Sequence, residues 1–117
     1  MDALLRDARF VNSIKLHTGE GEPGGKWTLE QAEDFFVNQG YQTREIAEVE
    51  TKRGTEDATY LYYTLGKLEI MKLREDYSKK VGAAYTIGDF HDKFMKQGFA
   101  PIKVIRKAML GNDSPVL

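Results

Sequence analysis

The chain has 117 residues, a mass of 13.3 kDa, 41% hydrophobic and 30% charged residues, which is the length and composition of one ordinary globular domain and excludes a disordered chain. It contains no cysteine, which removes disulfides, thiol nucleophiles and thiolate metal sites, and no apolar run approaches the roughly 20 residues of a membrane span. The formal net charge of −1 hides a split: residues 1–60 carry 12 acids and 7 bases, residues 61–117 carry 6 acids and 10 bases.

The first ten residues have neither the basic head nor the apolar middle of a signal peptide, so secretion by a signal of its own is not expected. Leu4, Ala8, Val11 and Ile14 recur at three- and four-residue spacing and predict a helix over Asp2 to Leu16. The glycine-rich run of residues 19–25 is a loop. Thr28 with Gln31 three residues later is a capping-box pattern that opens a second helix, with Leu29, Ala32, Phe35 and Phe36 as its apolar face and Gly40 as a left-handed stop. Thr43 caps a third, short helix with Ile46 and Val49 inward and Gly54 at its end. The longest helix is expected from the Asp57 cap to about Lys80, with a stripe of Leu61, Leu65, Leu68 and Ile70/Met71, closed by Gly82. A helix over Ile87–Gln97 follows, with Phe90 and Phe94 on one face and Gly98 at its end. Pro101 then starts Ile102–Leu110, which Gly111 stops, and residues 111–117 fray. No period-2 alternation persists beyond four residues. The expectation is one all-α domain over residues 1–117, a single compact array of five or six helices without a sheet.

Chemistry is sparse along this chain. Residues 19–24, Gly-Glu-Gly-Glu-Pro-Gly, match G-x-G-x-x-G formally but follow a helix and carry two glutamates that would repel a pyrophosphate. The two histidines, His17 and His91, do not begin an H-E-x-x-H pattern, so a metal enzyme built on them has too thin a ligand set, and no metal ligands are expected in this chain. His17 reads as a residue of a helix C-terminus, where an imidazolium meets the negative end of the dipole. Tyr60, Tyr62 and Tyr63 cluster near the start of the long helix; such hydroxyls either donate to a developing oxyanion or pack their rings in the core with wet hydroxyls. The basic half lacks an RNA-binding or helix-turn-helix signature, so it reads as solvated helix faces, with neither nucleic acid nor membrane as a partner. No complete active site is present.

The stretch Arg53-Gly54-Thr55-Glu56-Asp57-Ala58-Thr59-Tyr60-Leu61-Tyr62-Tyr63-Thr64-Leu65-Gly66-Lys67-Leu68, followed by Leu73-Arg74, Phe90-His91-Asp92 and Gly98-Phe99-Ala100-Pro101-Ile102, resembles the C-terminal end of the bacterial domain-of-unknown-function 885 (DUF885) family. Upstream, Arg9-Phe10-Val11 through His17 and Trp27-Thr28 through Ala32 resemble it as well, so the likeness spans about Arg6 to Leu110. Members of that family look like much longer helical zinc metallopeptidases of the gluzincin type, whose zinc-binding helix lies upstream of the segment present here. The resemblance therefore implies the non-catalytic C-terminal portion of such a protein, with zinc belonging to the intact protein and the N-terminal catalytic portion as the missing partner. It also implies roles for three residues: Tyr63 as an oxyanion donor, Arg53 as a holder of a substrate carboxylate, and His17 beside the cleft. Phe90-His91-Asp92 matches a motif of structural character. Two departures stand out: the loop after His17 is expanded by Glu22-Pro23-Gly24-Gly25, and Asp57-Ala58-Thr59 replaces a Pro-Gly-Gln found in many members.

The alternative from another class is a stand-alone helical interaction module whose basic face, with Lys67, Lys72 and Lys79, docks an acidic partner. A segment of a larger fold exposes apolar surface, so self-association into a homodimer is also expected.

Overall fold

A computed structural model describes residues 2–114. Six α-helices and no strand are formed among the described residues: α1 (Asp2–Thr18), α2 (Leu29–Asn38), α3 (Arg44–Glu56), α4 (Tyr62–Val81), α5 (Ile87–Met95) and α6 (Ile102–Leu110), with single 3-10 turns at Pro23–Gly25 and Gly82–Ala84. None of the described helices is long and apolar enough to cross a membrane. The chain divides into two compact units, Met1–Leu65 and Gly66–Leu117.

In the first unit, α1, α2 and α3 pack around Ala8, Phe36, Ala47 and Tyr60, with Leu5, Phe35 and Val37 against them. Local signals set the helix starts. Thr28 accepts from the Gln31 amide at 3.1 Å while the Gln31 side chain accepts from the Thr28 amide at 2.9 Å, so both halves of the capping box are made. Thr43 likewise accepts from the Ile46 amide. Buried Asn12 ties the helices together by donating to the Ala32 carbonyl and accepting from the Trp27 indole at 2.8 Å.

Several sequence expectations are corrected here. Ile46 and Val49 do not point inward; they are 43% and 66% exposed, and the buried face of α3 is Ala47, Glu50, Thr51 and Gly54. Small side chains at this spacing let α1 and α3 approach closely, and that approach outweighs the hydrophobicity of Ile46 and Val49. Gly54 does not end α3, which continues to Glu56; it is buried where a Cβ would meet the Tyr60 ring at 3.3 Å and Leu16 at 3.5 Å. Gly40 is not the left-handed residue after α2. That conformation falls on Tyr41, at φ 51°, and Gly40 is required by proximity, since a Cβ there would sit 2.7 Å from the Phe36 carbonyl oxygen and 3.3 Å from the Ala8 Cβ.

The long helix does not begin at Asp57. Asp57 Oδ1 accepts from the Thr59 amide at 2.9 Å and the Thr59 hydroxyl at 2.6 Å, closing a turn over Asp57–Leu61, and α4 starts at Tyr62. Its predicted stripe is displaced too: Leu68 and Met71 are exposed, and Thr64, Leu73 and Tyr77 are the buried positions. The second unit packs α5, α6 and most of α4 around Leu73, Tyr77, Phe90 and Ile105, and the Phe90 and Phe94 rings stack at 5.8 Å as their spacing predicts. α5 stops at Met95 rather than Gln97, and Gly111, at φ 82°, ends α6 as expected. In the segment expected to fray, Asn112 accepts from Arg106 at 3.1 Å; residues 115–117 lie outside the described residues.

Candidate functional site

The three residues singled out in the sequence all belong to the first unit, on α1, α3 and the start of α4. The turn that joins α3 to α4 is anchored from beneath by Tyr60. Its ring packs on Gly54, and its hydroxyl donates to the Glu50 carbonyl oxygen at 2.9 Å with Glu50 Oε2 at 3.2 Å. Burial, followed by the Glu50 charge, pushes the Tyr60 hydroxyl pKa well above the ordinary tyrosine value, so it stays a donor. Glu50 in turn takes two parallel bonds from Arg9, Nε to Oε2 and Nη2 to Oε1, both 2.7 Å. Burial works to raise the Glu50 pKa, but the Arg9 fork, aided by Tyr60 and Arg53, holds it below the usual carboxylate range.

On this base sit the exposed groups. His17 is in the last turn of α1, as its sequence position predicts, and its Nε2 lies 2.9 Å from the Gly54 carbonyl oxygen. A carbonyl only accepts, so Nε2 carries the proton and satisfies one of the last four carbonyls of α3, leaving Nδ1 to face other partners. Arg53, one residue before, lays its guanidinium 5.8 Å from the centre of the Tyr60 ring. No carboxylate among the described residues lies within ion-pair distance of it. Asp57 is close enough to feel both Arg53 and His17, although its depressed pKa comes first from its bonds to Thr59.

Tyr63 is 49% exposed on the first turn of α4. Its ring lies 4.3 Å from that of Tyr62 and is covered on α1's side by Arg6, 4.8 Å from the ring centre. The neighbouring Tyr63 hydroxyl is the main cause of a raised Tyr62 pKa, which the Arg53 charge opposes. Tyr62 therefore stands between the fields of Arg53 and Tyr63. The start of α4 is fixed by the Thr64 hydroxyl, which donates to Asp7 Oδ1 of α1 at 2.8 Å.

The structure thus sets His17 against the Gly54 carbonyl, next in sequence to Arg53, and places Tyr63 on the same unit beside Tyr62. His91 is exposed on α5 in the other unit, its ring 5.8 Å from Phe90. Sequence reasoning missed Arg9 and Glu50, which hold the turn in place. The signal that could have found them is the small-residue spacing Ala47–Thr51–Gly54, which fixes the buried face of α3 and puts Glu50 on it. Among the described residues no three His, Cys, Asp or Glu side chains converge closely enough to hold a metal ion, so the residues present do not fit a zinc site. The arrangement can bind an anion at Arg53 and donate hydrogen bonds from the exposed tyrosine hydroxyls.

No curated protein and no solved structure matches the chain. One family does, described as bacterial protein of unknown function (DUF885), and the match runs over residues 1–109. The Arg53–Tyr63 segment, the His17 helix end and the helices that carry them all fall inside that span, and the chain belongs to the DUF885 family.

Proposed function

We propose that this chain serves as the non-catalytic, helical C-terminal portion of a zinc metallopeptidase-like protein, forming part of a substrate cleft whose metal is held elsewhere in that protein. The observation that carries the reading is Arg53: an exposed guanidinium with no carboxylate within ion-pair distance among the described residues, steadied on the Tyr60 ring and close enough to exposed Tyr62 for its charge to act on that hydroxyl. In this role Arg53 binds a substrate carboxylate through its two-pronged face, and the Tyr63 hydroxyl donates to the oxyanion that develops as the scissile carbonyl is attacked. His17 lines the same surface through Nδ1. The partner is the remainder of the same protein, and exposed apolar side chains such as Val49, Met95 and Phe99 offer it surface to cover.

An immunoblot of the source cells with antibody against this chain tests the reading. A band several times heavier than 13.3 kDa, carrying zinc after purification, is the expected result. A sole band at the mass of the chain itself overturns it.

A further inference from the structure

The second unit contains a cavity of 370 Å³ between α4, α5 and α6 that the proposed peptidase role does not use. Two cations from different helices line it, Lys80 of α4 and Lys93 of α5, together with Val81, Ala108 and Met109 as apolar lining. Each ammonium has three donors and is already held by two partners. Lys93 Nζ bonds to the Tyr77 hydroxyl at 2.5 Å and Asp89 Oδ2 at 3.0 Å, while Lys80 Nζ bonds to the carbonyls of Met109 and Leu110 at 3.1 and 3.4 Å. These partners fix both ammonium groups in place and leave a donor on each. They also keep Lys93 charged, since Tyr77 and then Asp89 raise its pKa. The Tyr77 hydroxyl, which donates to Asp89 at 2.7 Å, has no proton left to offer a ligand.

We infer that this cavity binds a small amphiphilic oxyanion, a carboxylate or phosphate carried on a short apolar chain, with the head group on Lys80 and Lys93 and the chain against Val81, Ala108 and Met109. The contrast with the groove on α2 supports the choice. That groove, 280 Å³ and lined by Trp27, Gln31, Asp34 and Phe35, has no cation in its lining, and the one carboxylate there is already paired with Arg44 at 2.6 Å, so it offers an anion no charged donor.

The test is an NMR titration of the isotope-labelled chain with hexanoate and hexyl phosphate, using acetate and inorganic phosphate as probes without a tail. Saturating amide shifts are expected at Lys80, Lys93, Gln97 and Met109, with unchanged Trp27 emission. The tailed probes should bind about tenfold more tightly than the tail-less ones, from burial of part of the chain. The head group that binds better identifies the class of ligand. Lys80→Gln should weaken binding about fivefold. Ala108→Leu, at an exposed position that leaves both lysines in place, should fill the apolar end and remove the advantage of the tail. Shifts spread over the surface lysines, equal binding of tailed and tail-less probes, or an Ala108→Leu variant that binds as the parent does would overturn the inference.

Discussion

Arg9 and Glu50, 41 positions apart, meet in a planar two-pronged ion pair on facing helices, with both bonds at 2.7 Å and side chains only 14% and 11% exposed. The Tyr60 hydroxyl shares its one proton between the Glu50 carbonyl oxygen at 2.9 Å and Glu50 Oε2 at 3.2 Å, so the turn before α4 rests on this pair. Removing one partner strands the other in a largely dry place. Glu50→Gln or Arg9→Met should therefore destabilise the first unit by about 2 kcal/mol, less than a fully buried pair because some solvent reaches it. The pH dependence has a definite sign. A carboxylate whose pKa is depressed on folding contributes stability that is complete above the ordinary glutamate value, near 4.3, and is lost as pH falls toward its lower folded value. Denaturant midpoints measured from pH 7 down to pH 2 should fall less steeply for Glu50→Gln than for the parent; parallel curves would show that the pair contributes nothing.

Two glycines are expected to respond oppositely to alanine. Gly66 lies inside α4 with nothing within 4 Å of the place an alanine methyl would occupy, so Gly66→Ala should gain about 0.5–1 kcal/mol through helix propensity alone. Gly40 is blocked by the Phe36 carbonyl oxygen at 2.7 Å, which is backbone and cannot swing aside. Gly40→Ala should cost about 1–3 kcal/mol by distorting the end of α2 and crowding Ala8 of α1. Thermal melting of the two variants distinguishes them, and a shared direction would refute the close-approach argument.

Gly40 and the helix caps mark the boundary between what is local in the sequence and what depends on packing. Caps are local, so Thr28–Gln31 and Thr43 were legible: the hydrogen bonds they make depend on residues three apart. Faces depend on what packs opposite. On α3 the rule that Ile and Val go inward failed because α1 approaches through Ala47, Thr51 and Gly54, and the larger side chains were left outside. Gly40 was legible as a helix end but not as a contact with Ala8, which is far off in sequence. Arg53, Tyr63 and His17 are singled out by resemblance alone, while the Arg9–Glu50–Tyr60 cluster joins α1, α3 and the turn before α4, a relationship that no short motif encodes.

Thr51 is buried at 1% exposure, and no hydrogen-bond partner lies within reach of its hydroxyl. A buried hydroxyl without a partner costs roughly 1–3 kcal/mol, and Val has the same branched shape without it. Thr51→Val should raise stability by about 1 kcal/mol, read as a higher denaturant midpoint at unchanged slope. Thr51→Ser, which keeps the hydroxyl and loses the methyl, should be less stable than the parent. A Val variant weaker than the parent would mean that the hydroxyl is satisfied in solution.

The functional reading stands or falls on Tyr63 and Arg53. Tyr63 is half exposed and its hydroxyl meets that of Tyr62, itself exposed, so Tyr63→Phe keeps the ring contacts with Tyr62 and Arg6 and should change stability little. If the hydroxyl donates to an oxyanion, the intact protein carrying Tyr63→Phe should lose about 10²–10³ in kcat with little change in KM, the loss typical of one oxyanion donor. If Arg53 holds a substrate carboxylate, Arg53→Gln removes a charge used in the ground state as well, so it should raise KM and be most damaging for substrates with a free carboxylate near the scissile bond. Its cation–π contact with Tyr60 is worth only about 0.5–1 kcal/mol, which a melting curve separates from the kinetic effect. Full activity in both variants, measured on a peptide library with free and amidated C-termini, would remove these residues from the chemistry and leave them as surface groups of the first unit.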